Sequence, residues 1–192
     1  MAERFETTKF ALQVVQTLGI VLAVASLHVS YKSFKAEHEW KRRQFTAELL
    51  GNFNANIKEH RSVLIQAFPG LGDADTGIQP SKEECRKIIK AKKGQYIING
   101  GLDTFEVRDH LVGMFNYFEH VAYSYEAKLG NQPDIEASMS NVILRWHNFF
   151  SNCIQEVYSE FGGDVWPPLT RVVGTWKLHQ GDHVIDVPAT DD

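Results

Sequence analysis

Cysteine is almost absent from this sequence. The two present, Cys85 and Cys153, lie far apart and outside any C-x-x-C or Cys/His spacing, which suggests neither a disulfide framework nor a zinc site and fits a reducing compartment. Cys153 falls on an apolar helix face and reads as an inert packing residue, while Cys85, beside Arg86 and Lys87, reads as an exposed thiol near a helix start. Catalytic signatures are missing too. There is no H-E-x-x-H, no Glu-x-x-His of the kind used by di-iron helical bundles, and no serine in a G-x-S-x-G elbow. The glycines of PGLGDADTGIQP (69–80) lack the lysine and hydroxyl of a phosphate-binding loop, so that stretch reads as a connection. No catalytic residue, metal site or cofactor is expected.

Proline is absent before Pro69, and formal charge is absent between Lys9 and Lys32. The uncharged run, FALQVVQTLGIVLAVASLHVSY (10–31), is 22 residues long; at 1.5 Å per residue it covers about 33 Å as a helix, enough to cross a bilayer. A cleaved signal peptide and a buried soluble helix are the competing readings: Ala23-Val24-Ala25 resembles a small-residue cleavage site, but the residues before the run are not clearly cationic, and a run uncharged for its whole length with bases crowding its far end is unlike a core helix. An uncleaved anchor is expected. Lys and Arg number two before it (Arg4, Lys9) and five just after it (Lys32, Lys35, Lys41, Arg42, Arg43), a bias that places the C-terminal side in the cytoplasm and the N-terminus outside.

Gln16, Gly19, Ala23, Ser26 and Ser30 follow steps of three, four, three and four along this run, within roughly 80° of one another on a helix. Such a small, polar stripe lets a second membrane helix approach closely and hydrogen-bond across the contact.

The remainder is what a folded helical protein contains: 43% hydrophobic and 23% charged residues, with a net charge of −4. The charge is uneven. Residues 32–43 and 82–93 hold 11 of the 20 basic residues, whereas 103–192 carries 14 acids against five bases. Phe45, Leu49, Phe53 and Ile57 recur every four residues, which predicts that the membrane helix continues as an amphipathic one. Ser81 with Glu84 predicts a capped helix ending near Gly94, and Asp103 with Glu106 predicts another running to Gly130. A third is predicted from Asp134 to Gly162-Gly163, and a last one from Trp166 and its Pro-Pro pair to about Leu178. Strand signals are weak apart from QYIING. The expected class is all-α, with one N-terminal transmembrane helix continuing into a cytosolic bundle of four or five helices. The expected divisions are a short tail (1–9), the span (10–31), the helical domain (32–180) and an acidic flexible tail (181–192).

The order of a single span, the basic EWKRRQFTAELLGNFN, the FNYFEHVAYSY helix and a Trp-containing last helix resembles a bacterial domain-of-unknown-function family of single-pass proteins. The resemblance implies a membrane-tethered cytosolic helical domain and bacterial origin, with the anchor in the inner membrane. It implies no reaction.

Three sets of residues are candidates for function. Through FNYFEHVAYSY (115–125) and the turn before it the apolar stripe is Leu111, Phe115, Phe118, Ala122 and Tyr125, and Glu119 falls at its margin. With Asn116, His120 and Tyr123 it forms the candidate ligand-binding cluster. The preferred reading of Glu119 is nonetheless a boundary carboxylate that fixes helix packing, with Asn116 and Tyr123 as donors. The stripe Gln16, Gly19, Ala23, Ser26 and Ser30 is the candidate intramembrane contact. Lys32, Lys35, Arg42, Arg43, Lys82, Arg86, Lys90 and Lys93 are candidates for contact with anionic lipid or an acidic partner, and the basic helix has the acidic half of the chain as another possible mate. Glu106 and His110, four apart, read as a surface pair rather than a metal site. The expected partners are membrane lipids and other membrane subunits or further copies of the chain; nucleic acid ranks last, for want of aromatic interleaving. An accessory subunit of a membrane assembly is the first reading. A membrane-tethered sensor or effector with a ligand-binding cytosolic domain is the alternative.

Overall fold

A computed structural model describes residues 2–71 and 78–182, with side chains over 17–71 and 78–180. Six helices make up nearly all of it: α1 (Ala2–Ala67), α2 (Lys82–Ile89), α3 (Thr104–Glu126), α4 (Gln132–Phe149), α5 (Ser151–Phe161) and α6 (Pro167–Asp182). The class is all-α, as expected. QYIING contributes β1 (Ile97–Ile98), which pairs antiparallel with β2 (Leu102–Asp103). The expected acidic tail lies outside the described residues, apart from the end of α6.

The chain divides into two units, Met1–Arg43 and Gln44–Asp192. In the first, α1 is long and apolar enough to cross a membrane by length and composition. Its large apolar side chains Leu18, Ile20, Val21, Leu22, Val24, Leu27 and Val29 are 56% to 70% exposed.

The second unit holds the core. The four-residue rhythm of α1 becomes its inner face, with Leu49, Phe53, Ile57 and Leu64 buried. Leu111, Phe115, Phe118 and Ala122 of α3 are buried in the same core, and the leucine and phenylalanine side chains each contribute about 1.5–3 kcal/mol by leaving water. The contacts Leu49 with Tyr117 and His60 with His110 run in opposite chain directions, so α1 and α3 are antiparallel.

The single helix predicted from Asp134 to Gly162 is two. It bends at Phe150, whose backbone (φ −93°, ψ 17°) leaves the helical region, although the hydrogen bonds Phe150 N to Trp146 O and Ile154 N to Phe150 O continue on either side. No proline or glycine marks this place. Phe150 is fully buried, with Phe68, Phe115, Trp146 and Phe149 around it at ring separations of 4.9–6.3 Å. Packing of that aromatic group, rather than a local breaker, accompanies the bend.

Helix ends follow local chemistry. Ser81 and Glu84 form the reciprocal capping box at α2. α2 stops at Ile89, earlier than predicted, and Gly94 adopts a positive φ of 75° while its N–H donates to Asp103 Oδ2 at 2.7 Å. The other carboxylate oxygen of Asp103 caps α3 through Phe105 N at 3.0 Å. α5 ends on Gly162 in the left-handed region, as its sequence predicts.

α2 and α5 lie side by side in parallel. Cys85 meets Cys153, Arg86 meets Glu156 and, just past the end of α2, Lys90 meets Glu160, so the pairs advance along both segments in the same direction. The cysteines form a disulfide with their Cα atoms 4.7 Å apart, inside the range a bridge requires. This overturns the expectation of two unrelated thiols, one exposed and one inert: both are fully buried and neither is free. A sequence separation of 68 conceals what the α2/α5 register brings together.

Candidate functional site

The α6 N-terminus explains Glu119. A helix start leaves its first N–H groups without intrahelical partners. Here Trp166 N donates to Asp164 Oδ1 at 2.9 Å, Pro167 and Pro168 have no N–H, and Leu169 N donates to Glu119 Oε2 at 2.8 Å. Every donor of the first turn is thereby accounted for, and α3 supplies the acceptor for the last. Beside it Asn116 Oδ1 accepts from Trp166 Nε1 at 2.9 Å. Glu119 thus takes its hydrogen bond from α6, and not from Asn116 or Tyr123. Burial raises the Glu119 carboxyl above its ordinary pKa, opposed by the Leu169 N–H and by Arg171, and reinforced by Asp164 and Glu126. The four candidate ligand residues do not converge: Asn116 and Glu119 face α6, Tyr123 is exposed, and His120 lines a groove toward α1.

That groove, of about 180 Å³, also holds Glu48, Asn52, Asn56 and Tyr117. Glu48, Asn52, Asn56 and His60 stand four residues apart on α1, a polar row beside the apolar one. Tyr117 donates to Leu49 O at 3.3 Å and is hydrogen-bonded by Asn56, and burial raises its pKa. At the far end His60 Nδ1 and His110 Nδ1 are 2.9 Å apart. One of the rings must donate and the other accept, so the contact needs at least one neutral tautomer. Burial, followed by the nearby His110, lowers the pKa of His60. The Gly113 backbone lies directly against the His60 ring: a Cβ there would come within 2.6 Å of Cε1. His110 therefore pairs across helices with His60, where the sequence pointed to Glu106. The α1 polar row at four-residue spacing was the available signal for His60.

A larger cleft, of about 500 Å³, opens among α2, α3 and α5. Ile89, Val112 and Val157 form its apolar wall, with Arg108, Asn116 and Glu160 as polar groups. The Arg108 guanidinium lies 4.2 Å over the Phe105 ring and donates to Asp109 at 3.2 Å. Such a mixture of apolar wall and few polar groups suits a small amphipathic molecule. Among the described residues no group of three or more His, Cys, Asp and Glu is placed to hold a metal. His179 and His183 have the H-x-x-x-H spacing in the sequence; His183 lies outside the described residues, and His179 Nδ1 meets Glu136 Oε1 at 2.7 Å.

The basic candidates separate. Arg86 pairs with Glu156 through two contacts of 3.3 Å, and Lys90 reaches Glu160 at 3.5 Å, so two of the four candidates between Lys82 and Lys93 are engaged with α5. Lys82 and Lys93 are exposed, as are Lys32, Lys35 and Arg43 on α1, while Arg42 is partly covered. Of the small-residue stripe, Gly19, Ala23, Ser26 and Ser30 are exposed; the Gln16 side chain lies outside the described residues. A Cβ added at Gly19 would meet nothing within 4 Å.

The chain matches no family model, no curated protein and no solved structure.

Proposed function

We propose that this chain is a non-catalytic accessory subunit of a membrane assembly, held by one transmembrane helix with its helical domain in the cytoplasm. The observation that carries the reading is the exposure of α1. From Leu18 to Val29 its large apolar side chains are more than half exposed, a surface that suits lipid or another membrane helix. The bare face of Gly19, Ala23, Ser26 and Ser30 suits a close helix contact, and the five bases that follow it suit the cytoplasmic leaflet. The resemblance to bacterial single-pass proteins points the same way.

Gentle solubilisation of native membranes tests this. A larger partner recovered in fixed stoichiometry is the expected result, and Gly19→Leu with Ala23→Leu should abolish the recovery. Full-length protein in the soluble fraction would overturn the anchor, and unchanged recovery of the double variant would dismiss the small-residue face. Protease protection in sealed inverted vesicles checks orientation: the domain should be digested.

The second reading, a membrane-tethered sensor, draws on the cleft of about 500 Å³ among α2, α3 and α5. A lone homo-oligomer that carries a small molecule through purification would favour it.

A further inference from the structure

The proposed orientation and the disulfide pull in opposite directions. Basic residues after the span favour a cytoplasmic domain, and cytoplasmic thiol pools keep most cysteine pairs reduced. A bridge that cycles reconciles the two. We propose that Cys85 and Cys153 form a redox-operated clamp, which holds α2 against α5 as a disulfide and releases it when a thiol reductant opens the bond.

The geometry favours release of α2 in particular. It is eight residues long, shorter than an isolated helix can sustain, so its order depends on packing. Beyond the disulfide and the core packing of its buried Ile88 and Ile89, its ties to α5 are the Arg86–Glu156 pair and, at the residue after its end, the Lys90–Glu160 pair, both with cations more than half exposed. The Lys90–Glu160 pair is exposed on both sides and contributes little, while the Arg86–Glu156 pair, whose carboxylate is only 12% exposed, is the stronger of the two. Just ahead of the helix, Pro80 O accepts from Asn152 Nδ2 at 2.8 Å, which keeps the entry to α2 in place and leaves the helix body to move about it. Ile89, one turn beyond Cys85, and Val157, one turn beyond Cys153, form opposite parts of the cleft wall. Opening the clamp therefore loosens one side of that cleft.

The chemistry is thiol–disulfide exchange. A reductant thiolate attacks one sulfur, forms a mixed disulfide and expels the other cysteine as a thiolate, which takes up a proton. A second reductant thiol then breaks the mixed disulfide. The net change adds two electrons and two protons to the cysteine pair and converts two reductant thiols to a disulfide. Both sulfurs are buried, so attack requires a local opening of α2, and the rate of reduction should follow that opening.

The test uses the full chain in lipid nanodiscs, equilibrated with mixtures of reduced and oxidised dithiothreitol. Native-state labelling with a polymer maleimide counts free thiols, and hydrogen exchange is followed by segment. Reduction should expose two thiols without denaturant, raise exchange in 82–89 by tenfold or more, leave 104–126 and 132–149 protected, and reverse on reoxidation. Thiols that label only after denaturation, an unchanged α2, or loss of protection in all segments together would each overturn the clamp. In cells quenched with acid and alkylated, both redox forms should be present and shift with diamide. A pair found fully oxidised or fully reduced under every condition would likewise sink the proposal. The nanodisc measurements do not depend on orientation. If they succeed while inverted vesicles protect the domain, it is the cytoplasmic reading that fails.

Discussion

Replacing Glu119 separates the value of a hydrogen-bond acceptor from that of a charge. Its Oε2 accepts the Leu169 N–H at 2.8 Å, and the two prolines before Leu169 leave this as the one backbone donor that α3 must satisfy. Glu119→Ala removes the acceptor from a half-buried place. An unsatisfied N–H there costs about 1–2 kcal/mol, which for a chain of this size lowers Tm by roughly 2–8 °C. Glu119→Gln keeps an oxygen in place and removes the charge that burial disfavours. Because burial raises the carboxyl's folded-state pKa above 4.5, its titration contributes stability below that value, and the contribution is lost as pH rises through the folded pKa. The Gln variant should match or exceed the native protein at pH 7 and converge with it below about pH 4.5. Trp166, hydrogen-bonded to Asn116 next to this cap, makes indole fluorescence during urea unfolding a suitable readout. If Glu119→Gln falls as far as Glu119→Ala, the ionised carboxylate is what matters and the acceptor argument is refuted. If neither variant loses stability, the cap is dispensable.

His147 should govern much of the acid limb. Burial, aided by Lys177, lowers its pKa to about 4, so the unfolded chain binds the proton more readily: its contribution is full above pH 6.5 and is lost as pH falls toward 4. The loss should be on the order of 2 kcal/mol once partial solvent access is allowed for, and His147→Phe should flatten the stability profile across that window in urea titrations. Gly130→Ala should destabilise by about 1–3 kcal/mol, because its Cβ would come within 2.6 Å of Thr46 Oγ1, the acceptor for Asn131 N, and 2.8 Å of Ile135. Gly174→Ala should do the opposite: it lies inside α6 with nothing within 4 Å, so calorimetry should show a gain of about 0.5–1 kcal/mol. Were the two glycine variants to change Tm equally, close approach at Gly130 would not be the reason for that glycine. Permanent loss of the disulfide by Cys85→Ser with Cys153→Ser should cost up to about 4 kcal/mol by chain entropy over a 68-residue separation, measured by denaturant midpoint. A loss below about 1 kcal/mol would count against that entropic account.

Helix identity was legible in the sequence because its signals are local. The uncharged run from Phe10 to Tyr31, the four-residue rhythm from Phe45 to Ile57, the Ser81–Glu84 box and the glycine after Phe161 each act within a few turns of chain. The same rhythm placed Glu119 at the margin of the α3 core. Its partner was not legible, because Leu169 is 50 residues away and offers a backbone group that any residue type other than proline would carry. The bend at Phe150 was hidden for a related reason: it accompanies aromatic packing from Phe68, just past α1, and from α3 and α4 rather than a residue that breaks helices.

By itself, then, the sequence determined which segments are helical, which faces are apolar, and that one helix carries an apolar surface long enough for a bilayer. Periodicity and capping are properties of neighbours along a chain. Only the tertiary structure decided pairings: Cys85 with Cys153, His60 with His110, Arg86 with Glu156, and Glu119 with the start of α6. Those depend on the register in which helices distant in sequence come to lie. No spacing rule within one helix encodes that register.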